Sequence, residues 1–250
     1  MNESILYIVL GAATAGLIQG LSGFAFGLVA MTFWSWSVDP QLAGPMVVFG
    51  SFIGQLLSLK TIRRGLRRDL ITPLLIGGVL GVPVGVLLLH YVNAQYFKLG
   101  IGTLLSVYCP IMIFSRSIPK IGPVPVWVEV GIGHLSGILG GIGGLTGPVI
   151  TLWCTARSWN ADTQRAVFQT FNLAMHTLTL LTYTATGLIN YQTLRMFSIV
   201  APAMLIPTII GNYLYARLDQ SVFRLLILAI LGLSGVVMLA SLGSRFIFTH

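Results

Sequence analysis

The chain alternates long apolar stretches with short polar connections from one end to the other. Stretches free of Asp, Glu, Lys and Arg occupy residues 4–38, 40–59, 70–97, 99–115, 130–156, 166–194, 196–216 and 225–244. A helix needs about 20 consecutive apolar residues to cross the hydrocarbon core of a bilayer. The pattern therefore predicts an all-α, polytopic membrane protein.

Composition and charge agree with this prediction. Hydrophobic residues make up 55% of the 250 residues, and charged residues only 8%, against about 25% in a soluble domain. The net charge of +8 arises mostly in short connections, where the cytoplasmic loops of membrane proteins carry it, so no nucleic-acid partner is expected. Cys109 and Cys154 lie inside apolar stretches without a metal-ligand spacing, so neither a metal nor a cofactor is predicted.

The chain contains a weak internal duplication, in which residues 16–105 resemble residues 137–231. The clearest matches are three glycines in each half: Gly16, Gly20 and Gly23 correspond to Gly137, Gly141 and Gly144. We predict two membrane repeats, at 1–115 and 126–250, joined by a proline-containing linker at 116–125.

Each repeat opens with an apolar stretch that glycines interrupt. The interruptions are Gly20-Leu21-Ser22-Gly23 with Gly27, and Gly140 to Gly144 with Gly147-Pro148. Glycine holds helical dihedrals poorly and proline lacks a backbone donor, so both stretches are predicted to break near the bilayer middle. The alternative is glycine used for close helix packing. Three transmembrane helices should follow each broken segment.

The basic residues distinguish two ways of threading these broken segments. If each crosses once, the halves are parallel and the basic residues divide nine against five. If each enters and returns, the halves are inverted and eleven lie on one side: Lys60, Arg63, Arg64, Arg67, Arg68, Arg116, Lys120, Arg157, Arg165, Arg217 and Arg224. The positive-inside rule favours this second arrangement, with Lys98, Arg195 and Arg245 outside. The tryptophans near segment ends are expected at the membrane interface: Trp34, Trp36, Trp127, Trp153 and Trp159.

Inverted repeats with broken helices place a substrate site near the midplane, and half-helix N-termini favour an anion there. The candidate substrate-binding residues are Gln19, Ser22, Gly23, Gln55, Gly143, Gly144, Thr146, Asn172 and His176. Gln19, Ser22 and Thr146 offer neutral donors beside the breaks. Gln55, Asn172 and His176 are costly to bury in a membrane without partners, although contacts between helices are the competing role. Asn172 and His176 share one helical face with Gln169, and His176 is the candidate for proton coupling.

The glycine-rich opening of each half, the later Gly81-Val82-Pro83-Val84-Gly85 and the duplication resemble the TauE/SafE family of sulfite exporters. The resemblance implies a bacterial inner-membrane permease that moves sulfite, organosulfonates or related anions by alternating access. It also implies coupling to H+ or Na+ and allows a homodimer. The first copy departs from the glycine triplet frequent in the family, because it carries Ser22 and the aromatic pair Phe24 and Phe26. A bulkier or more apolar substrate is therefore conceivable, and another small organic acid anion is the alternative.

An enzyme is the rival from a different class. Gly20-Leu21-Ser22-Gly23 also resembles the glycine-x-serine-glycine string of rhomboid intramembrane proteases, with His134 or His176 as a candidate base. The second copy carries Gly143 where the first carries Ser22, and proteolysis does not require two glycine breaks. We therefore expect a transporter and not an enzyme, while a channel or receptor remains open on the sequence alone.

Overall fold

The computed structural model describes residues 2–23, 25–57, 67–115, 120–157, 159–215 and 220–247. Within these ranges the chain forms ten helices and no strand, as predicted for an all-α protein. The helices are α1 (Asn2–Ser22), α2 (Phe26–Trp34), α3 (Pro40–Leu57), α4 (Arg68–Tyr91), α5 (Ala94–Ile113), α6 (Val126–Gly143), α7 (Gly147–Ala156), α8 (Ala161–Ala185), α9 (Tyr191–Tyr215) and α10 (Gln220–Ile247). Phe24, Lys60, Arg63, Arg64, Arg116 and Arg217 lie outside the described residues.

Six of these helices are long and apolar enough to cross a bilayer: α1, α4, α5, α6, α9 and α10. Their number confirms the prediction of a multi-pass membrane protein. The helices α3 and α8 fall outside this set because they carry polar residues, and these two helices pack against each other. Within α3 only Gln41, Leu56 and Leu57 are exposed. Helix α3 is thus largely enclosed by other helices.

Among the helix pairs that join the first half of the chain to the second are α4 with α6 and α1 with α9. Both pairs depend on glycines. A Cβ atom added to Gly81 would overlap the carbonyl oxygen of His134, and one added to Gly85 would overlap that of Ile138. Because the contacts advance together along both helices, α4 and α6 run parallel, and backbone packs directly on backbone.

Another pair between the halves, α5 with α10, is antiparallel. Gly102 of α5 faces Leu239 of α10, whereas Leu105 faces Gly235, so α5 and α10 are antiparallel. Opposite directions of these two helices are compatible with inverted halves, and the inversion itself stays a prediction. The division of the chain at 116–125 stays a prediction.

Trp34 was expected to face the membrane interface, but its indole faces the protein interior. Its side chain is fully buried, and its Nε1 donates a hydrogen bond of 3.2 Å to the carbonyl oxygen of Ile8. The indole also packs against Gly11, where a Cβ atom would overlap the ring. Trp153 is likewise buried, while Trp36 and Trp127 are exposed as expected.

Candidate functional site at two helix breaks

The first break lies between α1 and α2. Gly23 has a φ of +82°, and its N–H donates a hydrogen bond of 2.7 Å to the carbonyl oxygen of Gln19. Residues with a Cβ atom rarely adopt this left-handed conformation, so a glycine ends α1 here. The structure therefore confines the predicted interruption to the connection between α1 and α2.

The second break has the same local structure. Gly144 has a φ of +68° and donates to the carbonyl oxygen of Gly140 at 2.7 Å, while the N–H of Leu145 donates to Leu139 at 3.2 Å. Gly144 is the residue that the internal duplication aligns with Gly23. Pro148 does not cause the break: it occupies the first turn of α7, where its missing N–H leaves no helical bond unmade.

Each broken segment forms a hairpin, not a single pass. The end of α2 returns to the beginning of α1, as the bond between Trp34 and Ile8 shows. At the other hairpin, Arg157 directly follows α7 and lies 3.4 Å from Glu129 in the first turn of α6. Both segments therefore enter the helix bundle and turn back at a glycine.

The two turning points adjoin inside the bundle. A Cβ atom added to Gly27 would lie 3.1 Å from the carbonyl oxygen of Gly144 and 3.1 Å from Val47 Cγ1 of α3. Val47 Cγ1 would also lie 2.8 Å from a Cβ atom on Gly144. The start of α2 and the second break thus pack against the same face of α3.

One face of α8 contacts both breaks. Thr146 Oγ1 donates a hydrogen bond of 2.7 Å to Asn172 Oδ1. Three residues earlier on α8, Gln169 Nε2 lies 3.2 Å from the place that a Cβ atom on Gly23 would occupy. His176 continues the same face one turn further along and is also buried. The predicted polar stripe of α8 therefore spans the interval between the two turning points.

The polar side chains at the first break bind the backbone. Gln19 Oε1 accepts a hydrogen bond of 3.0 Å from the N–H of Phe26, and Ser22 Oγ accepts one of 3.1 Å from Ala25. Both side chains were expected to act as donors to a ligand, and both accept backbone hydrogen bonds at the start of α2, while Gln19 Nε2 also donates to the carbonyl oxygen of Gly23 at 3.4 Å. Gln55 Nε2 donates at 2.9 Å to the carbonyl oxygen of Gly23. Substrate contact by these residues stays a prediction.

Several buried polar atoms near these helices have no hydrogen-bond partner among the described residues. They include Gln55 Oε1 and Ser51 Oγ on α3, and His176 Nδ1 and Thr179 Oγ1 on α8. Buried polar groups are normally paired with protein or water, so these atoms represent unused binding capacity. The sequence interpretation missed Ser51 and Thr179, although each lies within one helical turn of a candidate, Gln55 or His176.

Among the described residues, no group of three or more His, Cys, Asp and Glu side chains could hold a metal ion. The polar groups around the breaks are neutral amides and hydroxyls. Their chemistry suits hydrogen bonding to a small ligand.

The family model for the sulfite exporter TauE/SafE matches residues 8–238. This range includes both breaks, α8 and every candidate residue. Comparisons with curated proteins and with solved structures gave no match. Since the family match covers nearly the whole chain, the protein belongs to the TauE/SafE family of membrane transporters.

Proposed function

We propose that the protein is a secondary transporter of small sulfur-containing anions, sulfite or organosulfonates, and that the anion binds where the two helix breaks adjoin. Family membership supports transport. The location is argued from one face of α8. On this face Asn172 accepts a hydrogen bond from Thr146 at the second break, and Gln169 lies beside Gly23 at the first. A ligand at this place would contact parts of both halves.

The neutral polar lining is compatible with an anion. No Lys or Arg occurs in residues 4–38 or 130–156, the stretches that contain the breaks. The N-termini of α2 and α7 both lie at the turning points, and each contributes the positive end of its helix dipole. Thr146 does not cap α7 with its side chain but donates to Asn172. An anion oxygen that replaced Asn172 Oδ1 as acceptor would keep the hydroxyl satisfied.

Alternating access would follow from movement of the hairpins relative to α3 and α8. The parallel pairs α1 with α9 and α4 with α6 are packed through backbone contacts at glycines, so each pair would move as a unit. H+ or Na+ is the proposed coupling ion, with His176 as the candidate proton carrier because it lies on the α8 face.

The orientation proposed from the charges places the basic end in the cytoplasm. Arg67, Arg68, Lys120 and Arg157 lie at the end of the bundle where α4 and α6 begin. Lys98 and Arg195 lie near the starts of α5 and α9, at the opposite end. The positive-inside rule then implies that this basic end faces the cytoplasm, and the inner cell membrane is the location we propose.

Flux in proteoliposomes tests the function. We expect saturable, gradient-dependent uptake of sulfite or an alkanesulfonate, and thermal stabilisation of the purified protein by the same anion, since a ligand that prefers the folded state raises its stability. Asn172→Leu should reduce both signals. Thr155→Val is the matched control, because Thr155 Oγ1 only bonds Thr151 within α7.

Three outcomes would contradict the proposal. Flux that does not saturate would indicate a channel. Stabilisation by carboxylates but not by sulfite or sulfonates would favour a carrier of another organic acid. Equal flux in wild type and Asn172→Leu would remove the substrate from the α8 face.

A further inference from the structure

Arg157, the residue that follows α7, is held by several groups at once. Its guanidinium lies over the rings of Trp153 and Trp159, at 5.6 Å and 5.8 Å from their centroids. Its Nη2 is 3.4 Å from Glu129 Oε1, and the side chain is only 10% exposed. Cation–π contacts with two indoles and an ion pair restrict the position of the guanidinium.

The linker between the two halves packs against the same end of α7. Lys120 Nζ donates a hydrogen bond of 3.0 Å to the carbonyl oxygen of Thr155, and the N–H of Ile121 donates one of 2.9 Å to Ala156. Arg157 Nη1 donates to the carbonyl oxygen of Gly122. Two cationic side chains, Lys120 and Arg157, therefore lie at this end of α7, and Glu129 is paired with Arg157.

A cavity of about 400 Å³ opens between the linker and Arg157, and we call it the linker cavity. Its lining consists of Lys120, Ile121, Gly122, Pro123, Arg157 and Trp159. Arg157 Nε is buried and has no hydrogen-bond partner among the described residues. Guanidinium and ammonium donors recognise oxyanions, and the indole of Trp159 offers an apolar surface beside them.

We propose that the linker cavity is a capture site for the transported anion, a sulfite or small alkanesulfonate whose oxygens face Lys120 and Arg157. This inference rests on the proposed transport of such anions. The helix α7 has ten residues and runs from Ala156 at this cavity back to Gly147 at the second break. At about 1.5 Å per residue, the capture site is some 15 Å from the breaks.

The cavity at the opposite end has a different chemistry. It has a volume of about 310 Å³, and its polar lining includes Asp39, Gln41, His90, Asn190 and Thr193 but neither Lys nor Arg. An acid without a lining cation does not attract an anion. Of these two cavities, only the linker cavity has a lining suited to an anion.

Lys120→Gln tests the capture site in proteoliposomes whose protein presents its basic end to the substrate. We expect the half-saturation concentration for sulfite to rise about 3–10-fold and the maximal rate to stay unchanged, because charge near an entrance concentrates the anion there. Added salt should raise the half-saturation concentration less in the variant than in the wild type, because it screens a charge that the variant lacks. Lys98→Gln is the matched control, since it removes the same charge at the opposite end of the bundle.

Binding can be followed separately from flux by tryptophan fluorescence during titration with methanesulfonate. We expect quenching that is lost in Trp159→Phe and weakened in Lys120→Gln. Arg157→Lys, which keeps the charge but not the planar donor set, should also weaken the quenching without unfolding the protein.

Saturable flux with the same half-saturation concentration in Lys120→Gln and Lys98→Gln would overturn the capture site and leave transport standing. Absence of flux for every sulfur anion would instead defeat the proposed function, and equal quenching in wild type and Lys120→Gln would then still overturn the capture site.

Discussion

Thr146 and Asn172 connect the second helix break to the interior face of α8 through a hydrogen bond of 2.7 Å. Both side chains are almost completely buried. Gly140 supports this contact, because a Cβ atom at that position would overlap Thr146 Cγ2. The position of the second hairpin relative to α8 therefore depends on one polar contact and one missing side chain.

Thr146→Val keeps the shape of the side chain and removes its donor. Asn172 Oδ1 would lose its partner in a buried place, which costs about 1–3 kcal/mol of stability. We expect a lower melting temperature in detergent and weaker sulfite binding, with Thr146→Ser restoring both. Thr155→Val should leave sulfite binding unchanged, and a Thr146→Val protein with wild-type stability and binding would show that the contact is dispensable.

The two turning glycines should tolerate a methyl group poorly. Gly23→Ala and Gly144→Ala force a Cβ atom into a left-handed conformation, at a cost of about 1–2 kcal/mol each. Gly131→Ala is the control, because Gly131 lies within α6 and an added Cβ atom meets nothing within 4 Å. It should be neutral or stabilising by up to about 1 kcal/mol. Thermal unfolding curves of the three variants would decide, and equal curves would contradict the conformational argument.

Glycine spacing was enough to predict both breaks, because a left-handed residue at the end of a helix is a local property. Gly23 and Gly144 match in the duplication and share that conformation. The polar face of α8 could likewise be predicted from the sequence, since residues three and four apart lie on the same side of any helix. These features needed no knowledge of the tertiary structure.

The partners of the polar side chains could not be predicted in this way. Gln19 reaches the N–H of Phe26 because Gly54 on α3 leaves room for its side chain, and nothing in the sequence reveals that α3 passes there. Trp34 was misplaced for a related reason. The return of α2 along α1 places Trp34 beside Gly11 instead of beside lipid.

Gln19→Met should destabilise the first break without creating a large cavity. Methionine fills a similar volume but accepts no hydrogen bond of comparable strength, so the N–H of Phe26 loses its partner, at a cost of about 1–3 kcal/mol. Gln41→Met is the control, because the bond from Gln41 to His90 is exposed and its loss should change stability by no more than about 0.5 kcal/mol. Equal melting temperatures for the two variants would refute the capping role of Gln19.

The contact between α4 and α6 predicts a strong size limit at Gly81. A methyl group there would overlap the carbonyl oxygen of His134, and backbone cannot move aside as a flexible side chain can. Gly81→Ala should therefore cost about 1–3 kcal/mol or lower the yield of folded protein. Gly100→Ala on α5, with nothing near the added atom, should be harmless. Comparing the fraction of monodisperse protein after extraction would separate the two variants.

Two ion pairs among the described residues show why burial should affect their contribution to stability more than distance does. Arg67 and Asp69 approach to 2.7 Å, but their side chains are 62% and 58% exposed. Arg157 and Glu129 are farther apart, at 3.4 Å, yet only 10% and 8% exposed. Water screens the pair of Arg67 and Asp69 but largely cannot reach the pair of Arg157 and Glu129. The buried pair should therefore contribute more to the stability of the protein, although its contact is longer.

Double-mutant cycles test this ranking through the melting temperatures of the purified protein. Glu129→Gln leaves the buried Arg157 cation without its counter-charge, and we expect a loss of about 1–3 kcal/mol. Adding Arg157→Gln should recover part of that loss, which is the signature of coupling between neighbouring residues. The cycle with Arg67→Gln and Asp69→Asn should show weaker coupling that fades with added salt. Stronger coupling in the exposed pair would mean that Arg157 is held by Trp153, Trp159 and the linker carbonyls alone, and that Glu129 has no part in fastening α7.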